Sequence, residues 1–163
     1  MINFRKNNKG KSMPLLSAFL DSSVILSGLA SPTGGSGKLL EAGKLKKVRL
    51  IANPYVVQEA SYHLDKLKLE LDDLENLLSN HVVHLMSDPS KQIIQKFEKI
   101  TPDSNDAPII AGSLLSRVDY LISLDKKHIL IPRVKRALKP IKVVSPKEFW
   151  SSLKSYFKPS LKL

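Results

Sequence analysis

Two short apolar runs lie far apart in the chain, Leu15–Leu20 and Tyr120–Leu124, and each stops on an aspartate, Asp21 and Asp125. A short, mostly apolar run of that length fits a strand buried on both faces, as in parallel sheets. The stretch Thr101–Leu130 (TPDSNDAPIIAGSLLSRVDYLISLDKKHIL) holds the whole arrangement in small. It has acids at Asp103 and Asp106, then a helical run, then a strand, then the acid that ends it. In open sheets of this kind, ligands gather at the carboxyl ends of the strands, where both aspartates stand.

The rest of the chain repeats the alternation. Val48–Ala52, His81–Met86 and Ile141–Val144 read as further strands. Ser22 and Ser23 offer caps for a helix after Asp21. Lys38–Lys47 and Leu69–Leu78 have helical preference, and helices are expected to start at Asp88-Pro89 and Ser145-Pro146. Asn53-Pro54 is the clearest start signal, because Asn caps free N–H groups and Pro at the first position sacrifices no hydrogen bond. Glu59 follows in that helix. Ala107, Ile110, Ala111, Leu114 and Leu115 have the spacing of one helical face, which puts Asp106 in the first turn. Ala30–Gly37 (ASPTGGSG) reads as a loop; it lacks the GxxxxGK[ST] spacing of a phosphate loop. Strands alternating with helices predict an α/β sandwich with a mainly parallel sheet.

Length and charge set the organisation. At 163 residues the chain suits one domain, expected over residues 15–150, and it has no cysteine, which excludes disulfides and thiolate metal sites and favours an intracellular, cytoplasmic setting. No apolar run is long enough for a membrane helix. Met1–Lys11 is basic, but the apolar run after it is short and contains Asp21, a poor match to a signal peptide. The net charge is +11, and much of it is terminal. Arg5, Lys6, Lys9 and Lys11 lie in a polar segment, residues 1–14, expected to be mobile, and Lys154, Lys158 and Lys162 lie in a basic tail, residues 151–163. Such ends solubilise, and they also attract phosphates in a salt-dependent way.

The acids have bland readings one by one. Asp21 serves as a helix cap, Asp106 complements a helix dipole, Glu59 lies on the surface and Asp125 forms a turn. Their joint placement favours a site for a hard divalent cation, which takes carboxylate oxygens and relieves their repulsion. A cation there suits phosphoryl transfer.

FLDSSVILSGL, Glu59 after PYVVQ, NDAPIIAGSLLSRVDYLISLD and the following KKH resemble the PIN domain, over about Leu15 to Val144. The likeness is greatest to the toxin ribonucleases of type II toxin–antitoxin systems. The resemblance implies a three-layer sandwich and an endoribonuclease that hydrolyses RNA phosphodiester bonds. It makes Asp21, Glu59, Asp106 and Asp125 the acidic quartet that binds Mg²⁺ or Mn²⁺, with Asp103 as an additional acid. It also implies a homodimer and a small antitoxin partner. Ser23 stands where the family often has Asn, and Lys127 where it often has a second acid. Ser23 retains hydrogen-bonding capacity. Lys127 cannot bind a cation and is read as a phosphate contact, so the first metal of the family is supported and a second is left open.

Lys126, Lys127 and Arg133 open a basic segment that runs to Lys147. It is either a substrate groove or a solvated surface loop. His128 reads as a solvated loop histidine, with an acid–base role as the alternative. Two rival functions stand beside the nuclease: a PIN-like module that holds RNA without cutting it, and a phosphatase with Asp21 as nucleophile. The second is disfavoured, since Asp21 is followed by two serines rather than a second acid.

Overall fold

The structure, a computed structural model, describes residues 14–156. The basic N-terminal segment through residue 13 and the last part of the basic tail, residues 157–163, lie outside the described residues. Five strands form one sheet: β1 (Ser17–Leu20), β2 (Arg49–Ala52), β3 (Val83–Leu85), β4 (Tyr120–Ile122) and β5 (Lys142–Val144). Their spatial order is β3-β2-β1-β4-β5, and every pairing is parallel. The expected mainly parallel sheet is thus wholly parallel.

Helices flank it: α1 (Ser22–Ala30), α2 (Gly35–Lys44), α3 (Pro54–Ser61), α4 (Leu71–Ser79), α5 (Lys91–Phe97), α6 (Ala107–Leu115), α7 (Pro132–Ala137) and α8 (Pro146–Tyr156). No helix among the described residues is long and apolar enough to cross a membrane.

Burial follows strand position. Ala18, Phe19 and Leu20 of central β1 and Leu121 and Ile122 of β4 are fully buried, whereas the edge strands β3 and β5 mix buried and exposed positions. This is why the central strands read as mostly apolar runs. The chain leaves β1 to one side through β2 and β3, and reaches β4 on the other side. The gap between those two directions of travel lies at the carboxyl ends of β1 and β4, the usual ligand crevice of a doubly wound sheet.

Local expectations were met unevenly. Asn53 caps α3 as expected: its Oδ1 accepts from Val56 N–H at 3.1 Å, with Pro54 at the first position. Helix α5 starts later than Asp88-Pro89, at Lys91, because the Ser90 hydroxyl takes the cap by accepting from Ile93 N–H. Helix α2 starts inside the glycine-rich run. Its first turn packs so closely that a Cβ at Gly37 would collide with the Pro32 carbonyl, so that glycine serves helix packing.

Helix α6 is not the one-sided helix its spacing suggested. Ala107 through Ser113 are all buried, and Leu114 and Leu115 are exposed. Gly112 explains how the helix sinks so deep, for a Cβ there would lie 2.6 Å from Asn53 Nδ2 and 2.9 Å from the Phe19 ring. The basic segment after Asp125 is not simply a loop either. It contains α7, which Val134 and Leu138 anchor in the core. Helix α8 continues to Tyr156 with Leu153 buried, so the first part of the tail is helical.

Candidate metal centre

Parallel pairing of β1 with β4 aligns Leu20 with Ile122, and Asp21 N–H continues the ladder by donating to Ile122 O at 3.0 Å. Asp21 and Ser123 therefore leave the sheet side by side. The Asp21 backbone caps α1, but its carboxylate makes no cap bond. Instead Oδ2 accepts from Ser123 Oγ at 2.6 Å and from Ser23 Oγ at 3.0 Å. Both serines also tie down the chain that follows β4. Ser23 Oγ accepts from Leu124 N–H, and Ser123 Oγ accepts from Asp125 N–H. Asp21 is buried, and burial pushes its carboxyl above the ordinary range. The two serines pull the other way, and the Glu59 charge pushes it further up. The helix-cap reading of Asp21 thus accounts for its backbone and not for its side chain.

Asp106 arrives from the opposite direction. A short helical turn, Ser104–Asp106, leads into α6, and Asp106 sits at its cap position without a side-chain cap bond. The Asn53 side chain fixes this end of the helix by donating from Nδ2 to Pro108 O at 3.1 Å. Asp106 Oδ2 is buried and has no hydrogen-bond partner. Burial, and then the charges of Asp21, Asp103 and Asp125, push its carboxyl from 3.8 up to about 7, with only His128 opposing them. An orphaned buried carboxylate oxygen among three other acids is costly, and a cation in that place removes the cost.

Asp125 does form the expected turn, with Oδ1 accepting from Lys127 and His128 N–H at 2.8 and 2.9 Å. Its other oxygen is 3.0 Å from His128 Nδ1, and the same nitrogen is 3.7 Å from Asp106 Oδ2. Burial alone would raise Asp125, but the His128 and Lys127 N–H groups and the His128 ring outweigh it and lower the carboxyl below the usual range. His128 is therefore not a solvated loop residue: its imidazole is held by Asp125 and lies near Asp106 without a hydrogen bond to it. Asp103, Asp106 and His128 each place a donor atom within 4.8 Å of the others, the one such trio among the described residues.

Glu59 stands one step back. Its Oε2 accepts from Ser22 Oγ at 2.7 Å, and it reaches Asp21 by charge. Lys126 and Lys127 are exposed in the turn after Asp125. Arg133, also exposed, donates from Nη1 to Lys99 O at 3.2 Å, which ties α7 to the loop after α5. Ser23, which stands where the family often has Asn and would meet the substrate if it kept that residue's place, has its hydroxyl engaged by Asp21 and Leu124.

Sequence reasoning missed Ser123 and Thr101, and it read Ser22 and Ser23 only as helix caps, whereas Asp21 takes the cap position and Ser22 is the first helical residue, bonded to Glu59. The Thr101 hydroxyl donates to His128 O and accepts from Asp103 N–H, joining the two loops that carry the trio. Ser123 left a usable signal: a lone hydroxyl inside a buried strand needs a partner, and the aspartates at the strand ends are the natural ones.

The donor set consists of carboxylates with one imidazole, and the chain has no cysteine. Oxygen-rich sets of this kind suit Mg²⁺ or Mn²⁺. The PIN domain pattern matches residues 17–127, a span that includes every one of these acids. Among solved structures, the crystal structure of PAE2754 from Pyrobaculum aerophilum superposes with a TM-score of 0.60 over 87% of this chain and 98% of its own. Identity is 15%, so that likeness concerns the fold. No curated protein matches the sequence.

Proposed function

The chain belongs to the PIN domain family, and from that premise we propose that it is an endoribonuclease that hydrolyses phosphodiester bonds of single-stranded RNA with Mg²⁺ or Mn²⁺. The observation that carries the proposal is Asp106 Oδ2, buried, unpartnered and pressed by neighbouring acids at the crevice between β1 and β4. Asp21, Asp106 and Asp125 are the residues that would hold the cation, with Asp103 and Glu59 adding negative charge around it. When bound, it supplies an activated water and stabilises charge on the attacked phosphate and the leaving oxygen.

The protein's own part is orientation. Ser123 and Ser23 fix the Asp21 carboxylate, and Ser22 fixes Glu59. His128 holds Asp125 through Nδ1, which orients that carboxylate. Lys126 and Lys127, exposed beside Asp125, would attract RNA phosphates. The biological role we read is a cytoplasmic toxin, homodimeric and held by a small antitoxin. Support comes from the sequence likeness and from Tyr62 and Leu67, between α3 and α4, and Leu71, at the start of α4, which remain exposed. Lys127, in place of a second acid, favours a second reading, RNA binding without cleavage.

The test is incubation of the protein and its Asp106→Asn variant with single-stranded RNA, in Mg²⁺ or Mn²⁺ and in chelator. Cleavage that needs both the cation and Asp106 supports the nuclease. Binding without cleavage under every condition supports the second reading. Absence of both sinks the two together.

A further inference from the structure

Lys127 cannot bind a cation, but the residue after it can. His128 Nδ1 is 3.0 Å from Asp125 Oδ2 and 3.7 Å from Asp106 Oδ2, and the second of these oxygens is buried without a hydrogen-bond partner. Two donors that share one ion, each about 2.1 Å from it, stand roughly 3.0–3.6 Å apart for angles of about 90–120°. The nitrogen and the two oxygens are therefore spaced much as the donors of one ion are. Asp103 adds a carboxylate oxygen within 4.8 Å of a donor atom of each of Asp106 and His128.

The seat of the ring is built from both sides. The His128 N–H donates to Asp125 Oδ1 at 2.9 Å, and its carbonyl accepts from Thr101 Oγ1 at 3.1 Å. Thr101 is buried, and its hydroxyl also accepts from Asp103 N–H at 3.4 Å, so one side chain ties the loops that carry His128 and Asp103. The His128 side chain is 35% exposed, so an ion from solvent can reach it. Donor type then decides which ion gains. Mg²⁺ takes oxygen ligands and keeps several waters, whereas ions later in the first transition row gain most from an imidazole. We propose that His128 is a direct ligand of the bound cation through Nδ1, beside Asp106 and Asp125, and that it makes the centre prefer a first-row transition ion to Mg²⁺. In that role the cation takes the place of the proton that the ring and Asp125 share. A His128 that only oriented Asp125 would serve every ion alike. The inference rests on the proposed cation site and is independent of RNA cleavage.

The test is titration of the full chain, without RNA, with Mg²⁺ and with Co²⁺, followed by calorimetry. For Co²⁺, the paramagnetically shifted proton signals of the histidine rings are read by NMR as well. The chain should bind Co²⁺ more tightly than Mg²⁺, with shifted ring signals that vanish in His128→Asn. Asn sets an amide N–H near the place of Nδ1, so it can still hold Asp125, but it lacks the imidazole lone pair. His128→Asn should therefore lower Co²⁺ affinity by about tenfold or more, at least the loss that removing an orienting group brings, and change Mg²⁺ affinity by less than about twofold. Asp106→Asn should weaken both ions. If His128→Asn weakens both ions alike, His128 only orients Asp125 and the inference is overturned. Co²⁺ binding that His128→Asn leaves unchanged, or shifted signals from the stacked pair His81 and His84 instead, overturns it while the cation site stands. Failure of the unaltered chain to bind either ion overturns the inference and the cation site together.

Discussion

Ser123, at the end of β4, donates its hydroxyl proton to the carboxylate of Asp21, at the end of β1, at 2.6 Å. The bond is short and buried, and the serine oxygen accepts from Asp125 N–H in turn. One side chain thus sets the positions of two of the acids, across two neighbouring strands.

Ser123→Ala should therefore disturb both. The Asp21 oxygen loses its closest donor and Asp125 N–H loses its acceptor, at a cost of roughly 1–3 kcal/mol in a urea melt. Mn²⁺ affinity should fall by about 10–100-fold, as for other groups that orient metal ligands. Ser123→Thr, which retains the hydroxyl, should recover most of the metal affinity. Equal losses for Ala and Thr would show that packing, not the hydrogen bond, matters there.

Asp106→Asn should reduce RNA cleavage by about a hundredfold or more, beyond the loss expected for a merely orienting group. Without metal, the variant should be more stable at neutral pH by roughly 1–3 kcal/mol, since a repelled buried charge is removed. Loss of activity together with a lower melting temperature in chelator would contradict this account.

The pH dependence follows from the same group. Asp106 loses its proton near 3.8 when unfolded and at about 7 when folded without metal. Between those values the folded state holds more protons, so stability should fall as pH rises through that window. Asp21, raised by burial, acts in the same direction. Asp125 and Glu148 are lowered, so their contribution is present at neutral pH and lost only as pH falls below 3.8 and 4.5 respectively. Urea midpoints from pH 5 to 8 should decline in chelator and flatten with saturating Mn²⁺. A rise across that range in chelator would refute the assignment of Asp106.

Replacing Lys126, Lys127 and Arg133 together by Ala should weaken RNA binding alike for all sequences, because phosphate contacts carry little sequence information. The salt slope should flatten by about 0.7 for each phosphate that is no longer neutralised. Arg133, already bonded to Lys99 O, should contribute least when the three are changed singly. Cleavage at saturating RNA should survive better than affinity. Deletion of Met1–Ser12, which removes Arg5, Lys6, Lys9 and Lys11, is the control. If the deletion flattens the slope and the triple variant does not, the tail carries the attraction.

The sequence alone determined the features that depend on near neighbours. Central strands buried on both faces show as mostly apolar runs, Asn53-Pro54 states its own cap, and Asp21 declares itself as a strand end because a carboxylate rarely continues a buried strand; Asp125, expected at the end of the next strand, lies three residues past the end of β4, in the turn. The tertiary structure decided what is made by residues distant in the chain. It set β1 beside β4, and so joined Ser123 to Asp21. It sank α6 against Asn53 and Phe19 by way of Gly112, it left Asp106 Oδ2 without a hydrogen-bond partner, and it set the His128 ring against Asp125 at 3.0 Å and within 3.7 Å of Asp106. Periodicity and capping are local and can be read along a chain. Burial, hydrogen-bond partners and the repulsion that shifts a carboxyl are sums over neighbours in space, and only the folded sheet chooses those neighbours.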